Sequence, residues 1–278
     1  MEYLQQAQER LKQQSDSGGS GAHRPADQSV THAPPLIYSS TRAISLSEQL
    51  MRDQRLISGH AEGTFVDAYK RLRAQVMQQF RQKEWNVLGI SSPTAHEGKT
   101  LTAVNLSLAL AMDLAHTVLL VDADMHRPAV HRLFGMEQAQ GLTEYLFDQV
   151  PLAQLLIHPG VGRLVFLPGG RSIKNSAEAL ASPRMAALAQ ELKHRYPSRF
   201  IVLDLPPILS RADVLGFSSH IDALLLVIEE GRTSSIEVEQ AVSAIAGTVP
   251  ILGGVLNKSG RTQLTKRRAM GLLHSHSA

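Results

Sequence analysis

The stretch VLGISSPTAHEGKTLTAVNLSLALAM at residues 87–112 decides the fold of this chain. It contains an apolar run typical of a buried strand, then a loop ending in Gly-Lys-Thr, then a helix-forming segment. A Gly-Lys-Thr triplet at a strand-to-helix turn places backbone N–H groups, a helix N-terminus and the Lys99 ammonium around a phosphate chain, with the Thr100 hydroxyl directed at Mg²⁺. The segment is therefore typical of a Walker A loop, with Pro93 at the first consensus glycine position.

Two other strand ends carry carboxylates. TVLLVDADMHRP at 117–128 places Asp122 at the end of an apolar run and Asp124 two residues later, and FIVLDLPP ends its run at Asp204. Buried acids at the carboxyl ends of strands need a partner, which hydrated Mg²⁺ supplies. A lone acid after a strand is often a helix cap, but three such segments in one parallel sheet favour a metal and phosphate site.

Apolar runs alternate with helical stretches along the chain. Strands are predicted at 87–91, 117–122, 163–168, 200–204, 223–228 and 251–256, and helices at 65–81, 99–114, 182–195 and 234–246. Continuous apolar strands separated by helices indicate a parallel sheet covered on both faces. We therefore expect an α/β fold with a doubly wound, mostly parallel sheet similar to that of P-loop NTPases, preceded by a flexible N-terminal arm.

Composition divides the chain into three predicted parts. Residues 1–60 include a stretch rich in Ser, Gly, His and Pro from Ser15 to about Pro35, which predicts a flexible arm. Residues 61–258 are the predicted P-loop domain, and residues 259–278 are a basic tail. This tail could contact acidic lipid headgroups or an acidic partner, or have no function.

Composition also excludes several classes of protein. No apolar run reaches the ~18 residues that span a bilayer, and the first residues do not resemble a secretory signal. The absence of cysteine excludes thiolate metal sites and fits a reducing cytoplasm. The net charge of +3 arises from the tail, so the predicted domain lacks the basic face typical of nucleic-acid binding. We expect a cytoplasmic protein with no nucleic-acid partner.

The phosphate-site segments together resemble those of the bacterial tyrosine kinases (BY-kinases), P-loop kinases that accompany capsule and exopolysaccharide export. The resemblance extends from about Gly63 to Lys258. The family's Asp-x-Asp-x-Arg motif is here DADMHRP, with His126 at the usual Arg position and Arg127 next to it. The stretches LTEYL, LPGG, ASPRMAAL, RFIVLDLPPIL, DALLLVIEEG and GGVLNKS are similar to the stand-alone cytoplasmic kinase found beside exosortase and chain-length genes.

The resemblance implies roles for residues of the loop. Gly98, Lys99 and Thr100, with the flanking Glu97 and Leu101, would bind ATP. Thr100 would in addition be a ligand of Mg²⁺. Lys99 would be catalytic because it neutralises charge on the transferred phosphoryl group.

The resemblance also implies roles for residues beyond the loop. Asp122 would be a Mg²⁺-linked acid and the candidate base toward the accepting tyrosine hydroxyl. Asp124 would assist it, and Asp204 would hold a Mg²⁺-bound water. Asn257, at the end of the last predicted strand, resembles the family's adenine-facing position.

The first helix of the predicted domain carries Asp67, Lys70 and Arg73 at three-residue spacing. This pattern is similar to the Glu-x-x-Arg-x-x-Arg motif with which BY-kinases pack neighbouring subunits, so the resemblance implies a homo-oligomer. A solvated helix face is an equally good interpretation of the same three residues.

The positions of the tyrosines differ from the family pattern. BY-kinases usually end in a cluster of tyrosines that they phosphorylate on a neighbour, whereas this chain has no tyrosine after Tyr196. Tyr69, Tyr145 and Tyr196 fall in predicted helices, where a structural role is expected. Tyr3 and Tyr38 in the predicted arm are therefore the best internal acceptors, for the active site of a neighbouring subunit.

The sequence thus predicts an ATP-dependent protein-tyrosine autokinase that regulates exopolysaccharide biosynthesis and export. A membrane chain-length determinant or polysaccharide co-polymerase is the expected activator and would recruit the kinase to the inner face of the membrane. The alternatives are a Par/Min-like ATPase switch and a nucleotide-binding scaffold, neither of which phosphorylates tyrosine. The missing tyrosine cluster favours these alternatives. Thr94 favours the kinase because Par- and Min-type ATPases carry a signature lysine at that position.

Overall fold

The secondary structure follows the predicted alternation of strands and helices. The computed structural model describes residues 41–59, 62–112, 116–194, 199–210 and 213–259, all within one compact unit, Ile37–Ala278. The strands are β1 (Arg42–Ala43), β2 (Val87–Ser91), β3 (Thr117–Asp122), β4 (Ile157–His158), β5 (Leu164–Leu167), β6 (Arg199–Asp204), β7 (Ala223–Glu229) and β8 (Ile251–Asn257). The helices are α1 (Glu48–Asp53), α2 (Thr64–Lys83), α3 (Lys99–Ala111), α4 (Val130–Leu133), α5 (Leu142–Asp148), α6 (Leu152–Leu155), α7 (Ser176–Leu180), α8 (Pro183–His194), α9 (Asp213–Phe217) and α10 (Ser235–Ile245).

The strands of the described residues form one sheet in the order β1-β4-β5-β3-β6-β2-β7-β8. The strands from β5 to β8 in this order run parallel to one another. β4 pairs antiparallel with β5, and β1 pairs parallel with β4, so these two short strands run in the opposite direction. The predicted mostly parallel α/β fold is confirmed, with each predicted strand within one residue of its expected bounds.

Helices cover both faces of the sheet, as the doubly wound prediction requires. Along β3, Val118 and Leu120 join a buried cluster with residues of α2 and α3. Leu119 and Val121 point to the other face and join a second cluster with residues of α8 and α10. This alternation explains the unbroken apolar run of β3, because each face of the strand has its own core.

The expectation of full burial fails at β8, the edge strand beyond β7. Ile251 and Leu256 are exposed, the latter at 55% of its surface. The apolar run ILGGVL predicts cover on both faces of this strand. In the described part of the chain β8 has a strand neighbour on one side only, which leaves part of its surface accessible.

Residues 41–59 are part of the folded domain, so the predicted arm boundary at residue 60 was wrong for this segment. Met51 and Ile57 are buried in the core that α2 and α3 also line. The N–H of Ile57 donates a 2.9 Å hydrogen bond to Oδ1 of Asn105, and Asn105 Nδ2 donates at 3.0 Å to the carbonyl of Arg55. This docking depends on α3, which is distant in sequence, and local composition therefore did not reveal it.

The remaining parts of the predicted arm and tail, residues 1–40 and 260–278, lie outside the described residues. No helix in the described ranges is both long and apolar enough to cross a lipid bilayer.

Candidate active site

The phosphate loop, residues 92–98, joins the end of β2 to the start of α3 in the middle of the sheet. Asp122 and Asp204 are the last residues of β3 and β6, and they are partners in register on these neighbouring strands. Asp204 is also the partner of Ile90 on β2. The two acids and the loop therefore converge on one point at the C-terminal edge of the sheet, where parallel α/β sheets bind ligands.

Lys99 connects the loop to the acids. Its Nζ donates a 2.8 Å hydrogen bond to Oδ2 of Asp124 and lies 3.6 Å from Oδ1 of Asp204. Burial of Lys99 disfavours the charged ammonium, but the charges of Asp204 and Asp124 outweigh this effect and raise the pKa of Lys99 above its usual value. The lysine is therefore a permanent positive charge in the site.

Asp122 is fully buried and is oriented by the backbone of the following loop. Its Oδ2 accepts hydrogen bonds from the N–H groups of Ala129, at 2.9 Å, and Val130, at 3.0 Å. Its Oδ1 is buried and has no hydrogen-bond partner among the described residues. Burial, reinforced by the charge of Asp204, raises the pKa of Asp122, and the two N–H groups and Lys99 offset only part of this rise.

Asp204 is the least satisfied acid of the site. Both of its carboxylate oxygens are buried without a hydrogen bond among the described residues. Burial raises the pKa of Asp204, while Lys99 and the Thr100 hydroxyl offset part of the rise. Buried carboxylate oxygens that lack hydrogen bonds are costly even beside a cation such as Lys99, and this indicates a site shaped for an additional ligand.

The oxygen donors fit a hard cation such as Mg²⁺. Thr100, Asp122 and Asp204 supply a hydroxyl and carboxylates, which are the ligand types that Mg²⁺ accepts. No group of three His, Asp or Glu side chains within the described ranges is arranged to hold a metal alone. Phosphate oxygens and water would therefore have to complete the coordination, as is usual for Mg²⁺ in phosphoryl-transfer sites.

Glu97 supports the phosphate loop from inside. Its side chain is fully buried, and its carboxylate accepts hydrogen bonds from the Thr94 N–H at 2.9 Å and the Thr94 hydroxyl at 3.1 Å. The hydroxyl of Thr233, between β7 and α10, donates to the same carboxylate. The Glu97 side chain thus holds the loop in shape.

Asn257 contacts the loop from the end of β8. Its Nδ2 donates a 2.8 Å hydrogen bond to the carbonyl of Glu97. The next residue, Gly98, has φ +95° and lies so close that a Cβ atom there would overlap the Asn257 amide. Asn257 is therefore next to the predicted phosphate site, and its adenine-facing role remains a prediction.

Thr233 and Lys258 were missed by the sequence predictions. Lys258 Nζ donates at 2.8 Å to the carbonyl of His96 and at 2.9 Å to Oε2 of Glu229. Both missed residues follow strands that end at the same edge as the acids, which is the signal that could have identified them.

The side chain of Leu101 has different surroundings from the acids of the site. The Leu101 side chain packs against the hydrophobic core, so only its backbone can contribute to a phosphate site.

The predicted packing motif on α2 contains both exposed residues and a residue bound within the chain. Asp67 and Lys70 are exposed, whereas Arg73 donates a 3.0 Å hydrogen bond to the carbonyl of Ala109 on α3. Arg73 is therefore bound within its own chain.

Two tyrosines lie in ordered, partly enclosed positions. Tyr69 is 8% exposed, and burial raises its pKa although hydrogen bonds with Thr102 and Asn105 offset part of the rise. Tyr145 lies beneath the guanidinium of Arg184, whose carbon is 4.8 Å from the ring centroid. The other tyrosines, Tyr3, Tyr38 and Tyr196, are outside the described residues.

Comparison with known proteins supports the similarity suggested by this geometry. The family described as the CobQ/CobB/MinD/ParA nucleotide-binding domain matches residues 72–275. The tyrosine-protein kinase YwqD of Bacillus subtilis (strain 168) is 31% identical over 192 residues, which cover 69% of this chain and 80% of that protein. The succinoglycan biosynthesis transport protein ExoP of Rhizobium meliloti (strain 1021) is 28% identical over 228 residues, or 81% of this chain and 29% of that protein.

A solved structure agrees with these relatives. The kinase domain of the Escherichia coli tyrosine kinase ETK superposes with a TM-score of 0.65 at 27% identity, covering 81% of this chain and 92% of that domain. The similarity therefore extends over nearly the whole length of a solved kinase domain.

Proposed function

Because this chain belongs to the bacterial tyrosine kinases of the CobQ/CobB/MinD/ParA nucleotide-binding family, we propose that it is an ATP-dependent protein-tyrosine kinase. Its biological role is the regulation of exopolysaccharide biosynthesis and export. The relative named as a succinoglycan biosynthesis transport protein supports this role.

The observation that carries the proposal is the arrangement of Lys99 and Asp122 around the phosphate loop. Lys99 provides a buried positive charge, and Asp122 provides a buried oxygen without a hydrogen-bond partner among the described residues. Phosphoryl transfer needs mainly positioning and neutralisation of charge, together with a group that accepts the proton of the attacking hydroxyl. These two residues supply both requirements.

In the proposed reaction a tyrosine hydroxyl attacks the γ-phosphorus of ATP. The new O–P bond forms as the bond from that phosphorus to the β–γ bridging oxygen breaks, and ADP leaves with the electron pair. Asp122 accepts the phenolic proton. The N–H groups of Ala129 and Val130 fix the orientation of this carboxylate.

ATP and Mg²⁺ complete the proposed site. Thr100, Asp122 and Asp204 would hold Mg²⁺, which when bound neutralises charge on the phosphates. Gly98 and the N-terminus of α3 present backbone N–H groups to those phosphates. The buried oxygens of Asp122 and Asp204 that lack hydrogen bonds within the described part of the chain support this assignment.

We further propose that the kinase acts in the cytoplasm as a homo-oligomer, recruited to the inner face of the membrane. A membrane chain-length determinant or polysaccharide co-polymerase is the proposed activator. The exposed Asp67 and Lys70 on α2 are available for contacts between subunits.

A nucleotide switch without tyrosine phosphorylation is the second candidate, because no tyrosine follows Tyr196. The deciding test incubates the purified chain with Mg²⁺, γ-labelled ATP and a copolymer of glutamate and tyrosine. We expect labelled phosphotyrosine with the wild type and a loss on the order of a hundredfold with Asp122→Asn, in line with removal of a general base. Full activity in Asp122→Asn would refute the assigned base, and labelled phosphate released without phosphotyrosine would favour the switch.

A further inference from the structure

The phosphate loop is held from one side by the segments that follow β7 and β8. These two strands pair in parallel, and β7 also pairs in parallel with β2, the strand that leads into the loop. The segments after β7 and β8 therefore emerge at the edge of the sheet where the loop lies. Thr233 is in the first of these segments, and Lys258 is in the second.

Thr233 connects the end of β7 to the interior of the loop. Its hydroxyl donates a hydrogen bond to the carboxylate of Glu97, which is fully buried. The same hydroxyl accepts a 3.0 Å hydrogen bond from the N–H of Glu229, the last residue of β7. Both contacts orient the hydroxyl, so the end of a strand is joined to the loop through one side chain.

Glu97 carries this contact to the backbone of the loop. Its carboxylate also accepts hydrogen bonds from the N–H of Thr94, at 2.9 Å, and from the Thr94 hydroxyl, at 3.1 Å. A buried carboxylate oxygen that loses a donor is costly. Loss of the Thr233 hydroxyl would therefore favour rearrangement of Glu97 and of the loop around it.

Lys258 holds the peptide group that precedes Glu97. Its Nζ donates at 2.8 Å to the carbonyl of His96 and at 2.9 Å to Oε2 of Glu229. His96 has φ +71°, in the left-handed region that residues with a Cβ atom rarely adopt. The ammonium of Lys258 therefore stabilises a backbone conformation that His96 does not favour by itself.

These contacts act on the part of the loop next to the proposed phosphate site. Residues 96–98 lead directly into α3, which begins at Lys99 and presents backbone N–H groups at its N-terminus. The directions of the N–H groups in the loop depend on the backbone angles of these residues. Thr233 restricts those angles through Glu97, and Lys258 restricts them through His96.

Building on the proposed kinase function, we propose that Thr233 and Lys258 are positioning residues that keep the phosphate loop in the conformation that binds the phosphates of ATP. Neither side chain needs to contact the nucleotide for this effect, because each acts through a residue of the loop. Donors that are already oriented bind the phosphates without a cost of rearrangement at the moment of binding or reaction.

Thr233→Val tests this role because valine keeps the branched shape of threonine and removes the hydroxyl. We expect the affinity of the full chain for Mg²⁺ with ADP, measured by calorimetry, to fall about tenfold, in line with loss of a hydrogen bond to a carboxylate. Thr233→Ser keeps the hydroxyl and should recover most of the affinity. A loss in Thr233→Ser as large as in Thr233→Val would overturn the role of the hydroxyl.

Thr248→Val is the matched control for the loss of a threonine hydroxyl. The Thr248 hydroxyl donates a 2.7 Å hydrogen bond to the carbonyl of Ile245, at the end of α10. Because α10 connects two parallel strands, its end lies at the opposite edge of the sheet from the loop. We expect Thr248→Val to melt at a lower temperature and to bind Mg²⁺ with ADP as the wild type does. An equal fall in affinity in both valine variants would show a general effect of stability and overturn the positioning role.

A pair of substitutions tests whether Lys258 acts through the backbone of His96. We expect Lys258→Met to weaken the binding of Mg²⁺ with ADP about fivefold, because the conformation of His96 loses its support. Adding His96→Gly should recover part of this loss, since glycine adopts a φ of +71° without strain. No recovery in the double variant would overturn the positioning role of Lys258.

The copolymer of glutamate and tyrosine separates failure of this inference from failure of the kinase function. Unchanged affinity for Mg²⁺ with ADP in Thr233→Val or in Lys258→Met would overturn the role of that residue, while phosphotyrosine on the copolymer would leave the kinase function intact. If the affinities fall as expected and the wild type forms no phosphotyrosine, the kinase function is overturned and the positioning role at a nucleotide site is supported.

Discussion

Lys99 donates a 2.8 Å hydrogen bond from Nζ to Oδ2 of Asp124, which joins the phosphate loop to the loop after β3. The two side chains are only 11% and 7% exposed. Removal of one partner of a buried ion pair leaves an uncompensated charge and is more damaging than loss of an exposed pair. The lysine therefore has a structural effect on this site, in addition to the catalytic role that we propose for it.

We expect Lys99→Met to abolish phosphoryl transfer and to lower nucleotide affinity at least about tenfold, because the point charge on the phosphates is lost. The fold should survive with a lower melting temperature, since Asp124 and Asp204 lose their cation. The loss should be larger at pH 8 than at pH 6, because the raised pKa of Asp204 leaves more of its carboxyl group protonated at pH 6. Nucleotide titration and thermal melting measure these effects, and unchanged ATP turnover in the folded variant contradicts the assignment of the loop.

Asp122→Asn and Asp204→Asn should affect stability in the opposite direction. The pKa of each acid is raised in the folded chain, so without nucleotide the wild type loses stability as the pH rises through these raised values. Each variant should melt at the same or a slightly higher temperature at pH 8 and show a flatter dependence on pH. Each should also lose the stabilisation that Mg²⁺ with ADP gives the wild type.

Thermal melting with and without Mg²⁺ and ADP tests this expectation. If the variants melt far below the wild type and still respond fully to the nucleotide, the two acids have a structural role only.

Gly98 and Asn257 should behave as a coupled pair. Gly98→Ala brings a Cβ atom into the Asn257 amide at a φ of +95°, so we expect lower stability and weaker nucleotide binding. Adding Asn257→Ala should recover part of both losses because it removes the overlap. A double-mutant cycle on melting and affinity measures the coupling, and strictly additive effects would contradict direct contact.

The predicted packing motif on α2 separates into two kinds of residue. Arg73→Ala should lower the stability of the chain by about 1 kcal/mol, because it removes the hydrogen bond to Ala109. Lys70→Glu should leave the melting temperature nearly unchanged and reduce the mass of the oligomer in light scattering. An oligomer unaffected by Lys70→Glu and by Asp67→Lys would show that this face is only solvated.

The sequence predicted the parts of the site that depend on strand ends. Walker A residues and acids at the ends of apolar runs meet because parallel strands end at one edge, so the neighbouring positions of Asp122 and Asp204 followed from the pattern. The hydrogen bond between Thr233 and Glu97 did not follow from the pattern. It joins two residues that are far apart in sequence, and neither of them is the last residue of an apolar strand. The docking of residues 41–59 was missed for the same reason, and β1 was too short to be recognised.

The most direct test of the kinase function compares two products in one reaction. The purified chain is incubated with ATP, Mg²⁺ and the glutamate-tyrosine copolymer, and ADP and phosphotyrosine are both quantified. We expect phosphotyrosine on the chain and copolymer to account for most of the ADP, with both products lost in Lys99→Met. ADP formation without phosphotyrosine on the chain, the copolymer or an added membrane partner would contradict the kinase function.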